Sequence, residues 1–218
     1  MSELPSDLHA TQVRNVTISG LPGAGSTTLL VGLKEELKFD GWKGFNGGEF
    51  MREYAKEKGL FKESAGTHHD ASHYEDDFDR QVDYGMREKL QAERHWILES
   101  WLSGFMAQGL DGVLKILMVC SDDAVRIDRI VNRDQIGVEE AKHNLHQRYH
   151  TNMTKWRRLY RDDWQRWVAQ APAHQGKDNS QIDFWRRDLY DLVIDTYSNG
   201  QEETLRIALN AIISPAQN

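Results

Sequence analysis

The 218-residue chain has one cysteine, four prolines and fewer basic than acidic residues, and each shortage closes off a class of protein. A single thiol, Cys120, cannot form an intramolecular disulfide, so the fold must stand on its core, and a reducing, cytoplasmic setting is the expectation. Lys and Arg number 27 against 34 Asp and Glu, for a formal net charge of -7. Such a field repels polyanions, so nucleic acid is not an expected partner and any nucleotide must be gripped by local positive groups. No stretch approaches the roughly 18 consecutive apolar residues of a membrane span, and MSELPSDLHATQ at the start carries no apolar leader core; no membrane partner is expected.

What is there suffices for one sizeable core: 39% hydrophobic residues, with seven each of Trp, Tyr and Phe. Residues 1–12 read as a disordered tail and 13–218 as a single domain. VRNVTISG is a short β-branched run ending in Gly, and WKGFN, HWILES, VLKILMVC and LYDLVIDT are further short apolar runs. Helical stretches lie between them, an alternation that predicts an α/β fold with a parallel sheet covered on both faces. From Val138 to Gln170 there is neither Gly nor Pro, and Leu145, Tyr149, Met153, Trp156, Tyr160, Trp164 and Trp167 recur at steps of four or three. The spacing predicts one long helix, or two in series, with an aromatic face that packs on the body or on a second subunit.

The stretch ISGLPGAGSTTLL carries the chemistry. Its strand, glycine loop and helix follow in the order of a phosphate-binding loop, and Gly20, Gly23, Ala24, Gly25, Ser26, Thr27 and Thr28 fill the pattern GxxxxGK followed by Ser or Thr, with one change. Ser26 stands where that pattern has lysine. The glycines let backbone NH groups turn inward as an anion nest, the helix adds its positive end, and a Thr27 hydroxyl suits the magnesium of a nucleoside triphosphate. An ordinary glycine-rich turn is the plain alternative.

From Val13 to its end the chain resembles the archaeal-type cytidylate kinases of the nucleoside monophosphate kinase group. NGGEFMREYA is similar to that family's SAGDIFRELA, WILESWLSGF to VLEGRLAGW, VRIDRIVNRDQIGVEEA to VRAERIAKREGISVEEA, and the stretch from Asp188 to Leu209 to the terminal strand and helix. The resemblance implies a P-loop three-layer fold with a five-stranded parallel sheet, plus a helical monophosphate-binding segment at about 46–92 and a lid at about 126–170. It implies Mg2+ as cofactor, ATP as phosphate donor and a nucleotide acceptor held by Asn46, Arg52, Asp83 and Trp101. By the same resemblance Glu99 would order magnesium water, and Arg129, Arg133 and Arg148 would neutralise the transferring phosphoryl group. Arg126 and Lys155 fall among the lid cations. Asp79, Arg80 and Asp83 either contact the base or pair on a helix surface, and a monomer or a homodimer is expected.

Three positions depart from the family pattern: Ser26 in place of the loop lysine, Trp101 where an arginine follows Glu-Gly, and Asn152 where the lid has an acid. Loss of a preorganised charge commonly costs on the order of a hundredfold in rate, so the choice lies between two readings. Either the chain transfers phosphate with a substitute cation, for which Lys43, Lys115 and the lid arginines are candidates, or it is a catalytically degraded nucleotide-binding or scaffolding protein. THHDASHYEDD places His69 and His73 at zinc-binding spacing, although a polar part of the monophosphate-binding segment is the simpler reading. Cys120 reads as a buried thiol at a strand end.

Overall fold

The structure, a computed structural model, describes residues 13–50 and 76–213. The five short apolar runs form β1 (Asn15–Gly20), β2 (Lys43–Asn46), β3 (Trp96–Glu99), β4 (Val113–Val119) and β5 (Leu192–Asp195). Helices among the described residues are α1 (Ser26–Glu36), α2 (Asp76–Ala92), α3 (Ser103–Met106), α4 (Asp123–Asp134), α5 (Val138–Leu159), α6 (Arg161–Trp164) and α7 (Gln201–Ile213). All strand pairs are parallel, in the order β2-β3-β1-β4-β5. Every residue of β1 is buried, as a central strand covered on both faces must be. The chain moves to one side of β1 with β2 and β3 and to the other with β4 and β5, so the loop after β1 opens at the carboxyl ends of the strands, where α/β sheets bind ligands.

Side-chain alternation divides the core. Val16 and Ile18 of β1, Ile116 and Met118 of β4 and Ile194 of β5 pack with Leu30 and Leu33 of α1 and Ala208 and Ile212 of α7. The opposite face holds an aromatic cluster in which Phe105 of α3 meets Tyr160, Trp164, Trp167 and Phe184 at ring-centroid distances of 6.1, 6.2, 5.4 and 4.7 Å. A third cluster joins Val82, Met86 and Leu90 of α2 with Trp96 and Leu98 of β3, and Phe45 of β2 packs against it. The expected aromatic face therefore packs on the body of the same chain.

The stretch from Val138 to Gln170 is helices in series. α5 stops at Tyr160, whose φ of -110° and ψ of 23° leave helical geometry, and α6 and a π-helical turn at Gln165–Ala169 follow. The break seats the fully buried Tyr160 ring in the aromatic cluster and turns its hydroxyl to donate to Asp83 of α2. Cys120, one residue beyond β4, is only partly buried, and its Sγ lies 3.3 Å from the Asp122 carbonyl oxygen. Arg52, His68, His69, Asp70 and His73 lie outside the described residues, as does the 1–12 tail.

Candidate functional site

The glycine loop is built as its spacing requires. A Cβ on Gly20 would stand 2.9 Å from the Met118 carbonyl oxygen, so only glycine lets β1 leave the sheet this close to β4. Gly23 and Gly25 adopt φ of 84° and 89°, left-handed values that glycine takes without strain, and α1 begins at Ser26 with its free NH groups facing the loop. A Cβ on Gly23 would also meet the Arg126 carbonyl oxygen at 2.7 Å. The loop is clamped from outside: Arg129 of α4 donates from Nη1 to the Gly23 carbonyl at 3.1 Å and to Thr196 Oγ1 at 2.7 Å, and from Nη2 to the Thr196 carbonyl at 2.9 Å. The Thr196 hydroxyl lies 3.1 Å from the Ala24 carbonyl and 3.2 Å from that of Val119, tying the loop to the ends of β4 and β5.

Ser26 does not point toward open space. It is buried, and its Oγ donates to Glu99 Oε1 across 2.7 Å. Glu99 closes β3, which pairs with β1 so that Ile18 stands opposite Glu99. Burial pushes the Glu99 carboxyl up from its ordinary value; hydrogen bonds from Ser26 and Thr27 oppose the rise, and the charge of Glu49 adds to it. Thr27 and Thr28 stay exposed on the first turn of α1.

The loop opens into a cleft of about 1140 Å³. One half is bounded by Gly32 and Val31 of α1 and Gln201 and Leu205 of α7; the other by Asp79, Val82, Asp83 and Met86 of α2, Trp101, and Arg148, Asn152 and Trp156 of α5. The α5 residues follow at i, i+4 and i+8 and so share one face. Arg148 lies over the Trp101 ring at 4.9 Å, and Trp101 meets Trp156 edge-on at 5.6 Å. Lys155 pairs with Asp79 at 2.8 Å. Burial pushes the Asp83 carboxyl up to about 7, although the Tyr160 hydroxyl donates to it and opposes the shift. Two buried atoms of cleft-lining residues, Ser100 Oγ and Asn152 Oδ1, have no hydrogen-bond partner among the described residues.

The residues expected to form a site are thus brought to one cleft in most cases. Gly20, Gly23, Gly25, Ser26, Thr27, Thr28, Asn46, Asp83, Glu99, Trp101, Arg129, Arg133 and Arg148 all line it, whereas Ala24 is buried behind the loop. Asn46 also caps the helical turn at 47–50: its Oδ1 accepts from the Glu49 NH at 2.9 Å, and Glu49 Oε2 accepts from the Asn46 NH at 3.0 Å. Arg133 lines the cleft with its guanidinium forked onto Asp134 at 2.6 and 2.8 Å. Lys43 and Lys115 are not among the lining residues. Lys43 opens β2 at the amino end of the sheet beside the Trp96 ring, and Lys115 pairs with Asp191 at 2.9 Å. Arg80 is likewise outside the cleft, directed at the Tyr84 hydroxyl. Thr196, Ser100 and the Ser26 to Glu99 contact are what sequence reasoning missed; the only trace of Thr196 was a hydroxyl residue directly after an apolar strand.

A glycine nest at the carboxyl ends of a five-stranded parallel sheet, with an acidic strand end beside it and helix α5 along the cleft, defines a P-loop kinase-like protein. The AAA domain family matches residues 16–150. A cytidylate kinase of Methanopyrus kandleri is 32% identical over 208 residues, which cover 92% of this chain and 93% of that one. Among solved structures, an uncharacterized protein of Eubacterium ventriosum superposes with a TM-score of 0.61 at 11% identity, over 92% of this chain and 99% of its own. A gluconokinase of Sinorhizobium meliloti superposes at 0.51 and 12% identity, over 94% and 95%. These two likenesses speak for the fold. The chain belongs to the cytidylate kinase-like family of P-loop kinases. Among the described residues no helix is long and apolar enough to cross a membrane.

Proposed function

We propose that the chain transfers a phosphoryl group from magnesium-bound ATP to a nucleoside monophosphate or a related acceptor. The observation that carries this reading is the intact loop nest, fixed by Arg129 and Thr196, opening into a cleft with two chemically different halves. Backbone NH groups of the loop and the α1 terminus receive the donor phosphates. The positive charge that a loop lysine would bring comes from α4: the Arg129 guanidinium is held against the Gly23 carbonyl, with Arg133 and Arg148 on the same cleft. On the other half, the flat indoles of Trp101 and Trp156, the carboxyl of Asp83 and the unpartnered Ser100 Oγ and Asn152 Oδ1 offer a slot for a planar ring bearing polar groups.

The donor set fits magnesium, since the Thr27 hydroxyl and the buried Glu99 carboxyl are hard oxygen ligands, and Glu99 gains a charge partner that offsets its burial. Magnesium, when bound, neutralises phosphate charge during transfer. Ser26 and Thr27 hold the Glu99 carboxylate in place, and Arg148 of the lid and the loop NH groups orient the phosphates. A second reading, nucleotide binding without transfer, draws support from Ser26, whose hydroxyl is engaged by Glu99 rather than offered to a phosphate. Calorimetry with magnesium and ATP, followed by turnover on a panel of nucleoside monophosphates, separates the two. Binding with turnover on at least one acceptor supports transfer, binding without turnover supports the second reading, and absence of triphosphate binding overturns both.

A further inference from the structure

We propose that His146 and His150 form a two-histidine clamp for a divalent transition-metal ion on the outer face of the lid helix α5. The residues stand one turn apart, and their Nε2 atoms converge to 2.9 Å, with ring centroids 4.1 Å apart. Histidines at i and i+4 share a helix face, the spacing that helical metal sites use, and here the two rings are tilted by 55° with their Nε2 atoms toward each other. Both are exposed, so an ion reaches them without any opening of the fold.

The separation selects the ion. Metal to imidazole bonds of about 2.0 to 2.1 Å ending on nitrogens 2.9 Å apart subtend roughly 90° at the metal, the angle between neighbouring ligands in a tetragonal or octahedral sphere. A tetrahedral ion needs nitrogens about 0.4 to 0.5 Å farther apart, from the same bond lengths. Copper(II) and nickel(II), which favour tetragonal nitrogen and oxygen spheres, fit this separation once the proton of the Nε2 to Nε2 hydrogen bond shifts to Nδ1 and both lone pairs turn to the ion, with water in the remaining positions; zinc needs the rings to spread as well. Magnesium, a hard ion preferring oxygen, does not fit.

The clamp is separate from the cleft. Arg148, Asn152 and Trp156 point from α5 into the cleft, and His146 and His150, each two residues from Arg148, lie on the reverse side. From Val138 to Thr151 the only buried residue of α5 is Ala141, so this half of the helix is held by few core contacts. An ion bridging one turn there stiffens the segment that carries Arg148, and its binding adds stability by mass action.

The test titrates the full-length protein with nickel(II) and copper(II) chloride at pH 7.5 by calorimetry, with copper(II) electron paramagnetic resonance for the coordination sphere. One equivalent of either ion binds, the copper spectrum is axial with coupling to two nitrogens, and the nickel-bound protein melts at a higher temperature. H146A and H150Q, both at exposed helix positions, each weaken binding at least tenfold and abolish the thermal shift, whereas the H68A/H69A/H73A triple variant binds as the parent does. Retention of one-equivalent binding in H146A or H150Q, its loss in the triple variant, or no binding in the parent protein overturns the proposal.

Discussion

At residue 26 the side chain serves the neighbouring strand. The Ser26 hydroxyl stabilises the charged form of a buried carboxyl, so removing it raises the Glu99 pKa further above its ordinary value. Ser26→Ala is expected to cost about 1 kcal/mol of stability and, if Glu99 serves magnesium as proposed, directly or through its water, to move the gain of magnesium-ATP affinity to higher pH, because only the deprotonated carboxylate attracts the ion. Calorimetric titrations across pH check the shift, and Ser26→Thr should restore the parent profile. Asp83 gives a second residue-scale expectation. Its carboxyl titrates at about 7 in the fold and near 3.8 in the unfolded chain, so between those values the folded state holds one proton more. Stability therefore falls as pH rises through this window and levels off above it. Asp83→Asn keeps an acceptor for Tyr160 and should flatten that slope, with a gain of at least about 1 kcal/mol at pH 8 from removing a charge that burial disfavours; urea melts at pH 5 and 8 read it. None of this was legible in the sequence, since which way the Ser26 hydroxyl points depends on β3, 73 residues away.

Among elements, the connection that matters is the one joining α4, the glycine loop and the end of β5 through Arg129 and Thr196. Arg129→Lys retains charge but cannot fork to two carbonyls and a hydroxyl, so it is expected to weaken triphosphate binding about tenfold and to lower stability by about 1 to 2 kcal/mol. Thr196→Val removes only the hydroxyl. If the clamp orders the loop, both substitutions raise amide exchange at Gly23 to Gly25, which mass spectrometry resolves. The elements themselves were readable. All five strands lie where short apolar runs sit between helical stretches, and the loop was marked by glycines whose spacing has a steric cause. What could not be read was long-range pairing: Arg129 looked like any lid cation, Lys43 and Lys115 looked available, and the end of α5 at Tyr160 is decided by an aromatic pocket rather than by a local breaker.

For the molecule as a whole, α5 and α6 are packed on the body through an aromatic cluster with Phe105 at its centre, beside the polar ties of Lys155 and Tyr160 to α2. Phe105→Ala should cost about 3 to 5 kcal/mol, and because α5 and α6 rest on that cluster, chemical denaturation is expected to show a lower midpoint, with amide exchange raised in both helices. The same packing has an optical consequence. Of the seven tryptophans, Trp101 and Trp156 face the cleft, and Trp101 lies beneath a guanidinium at 4.9 Å. A ligand that draws Arg148 away, or stacks on the indole, changes the emission of a fluorophore the chain already carries. Occupancy of the half of the cleft that the two indoles line should therefore be readable from the unlabelled protein as an intensity change, smaller in Trp101→Phe where Trp156 alone reports it, while ligands confined to the α1 and α7 side leave the spectrum as it was.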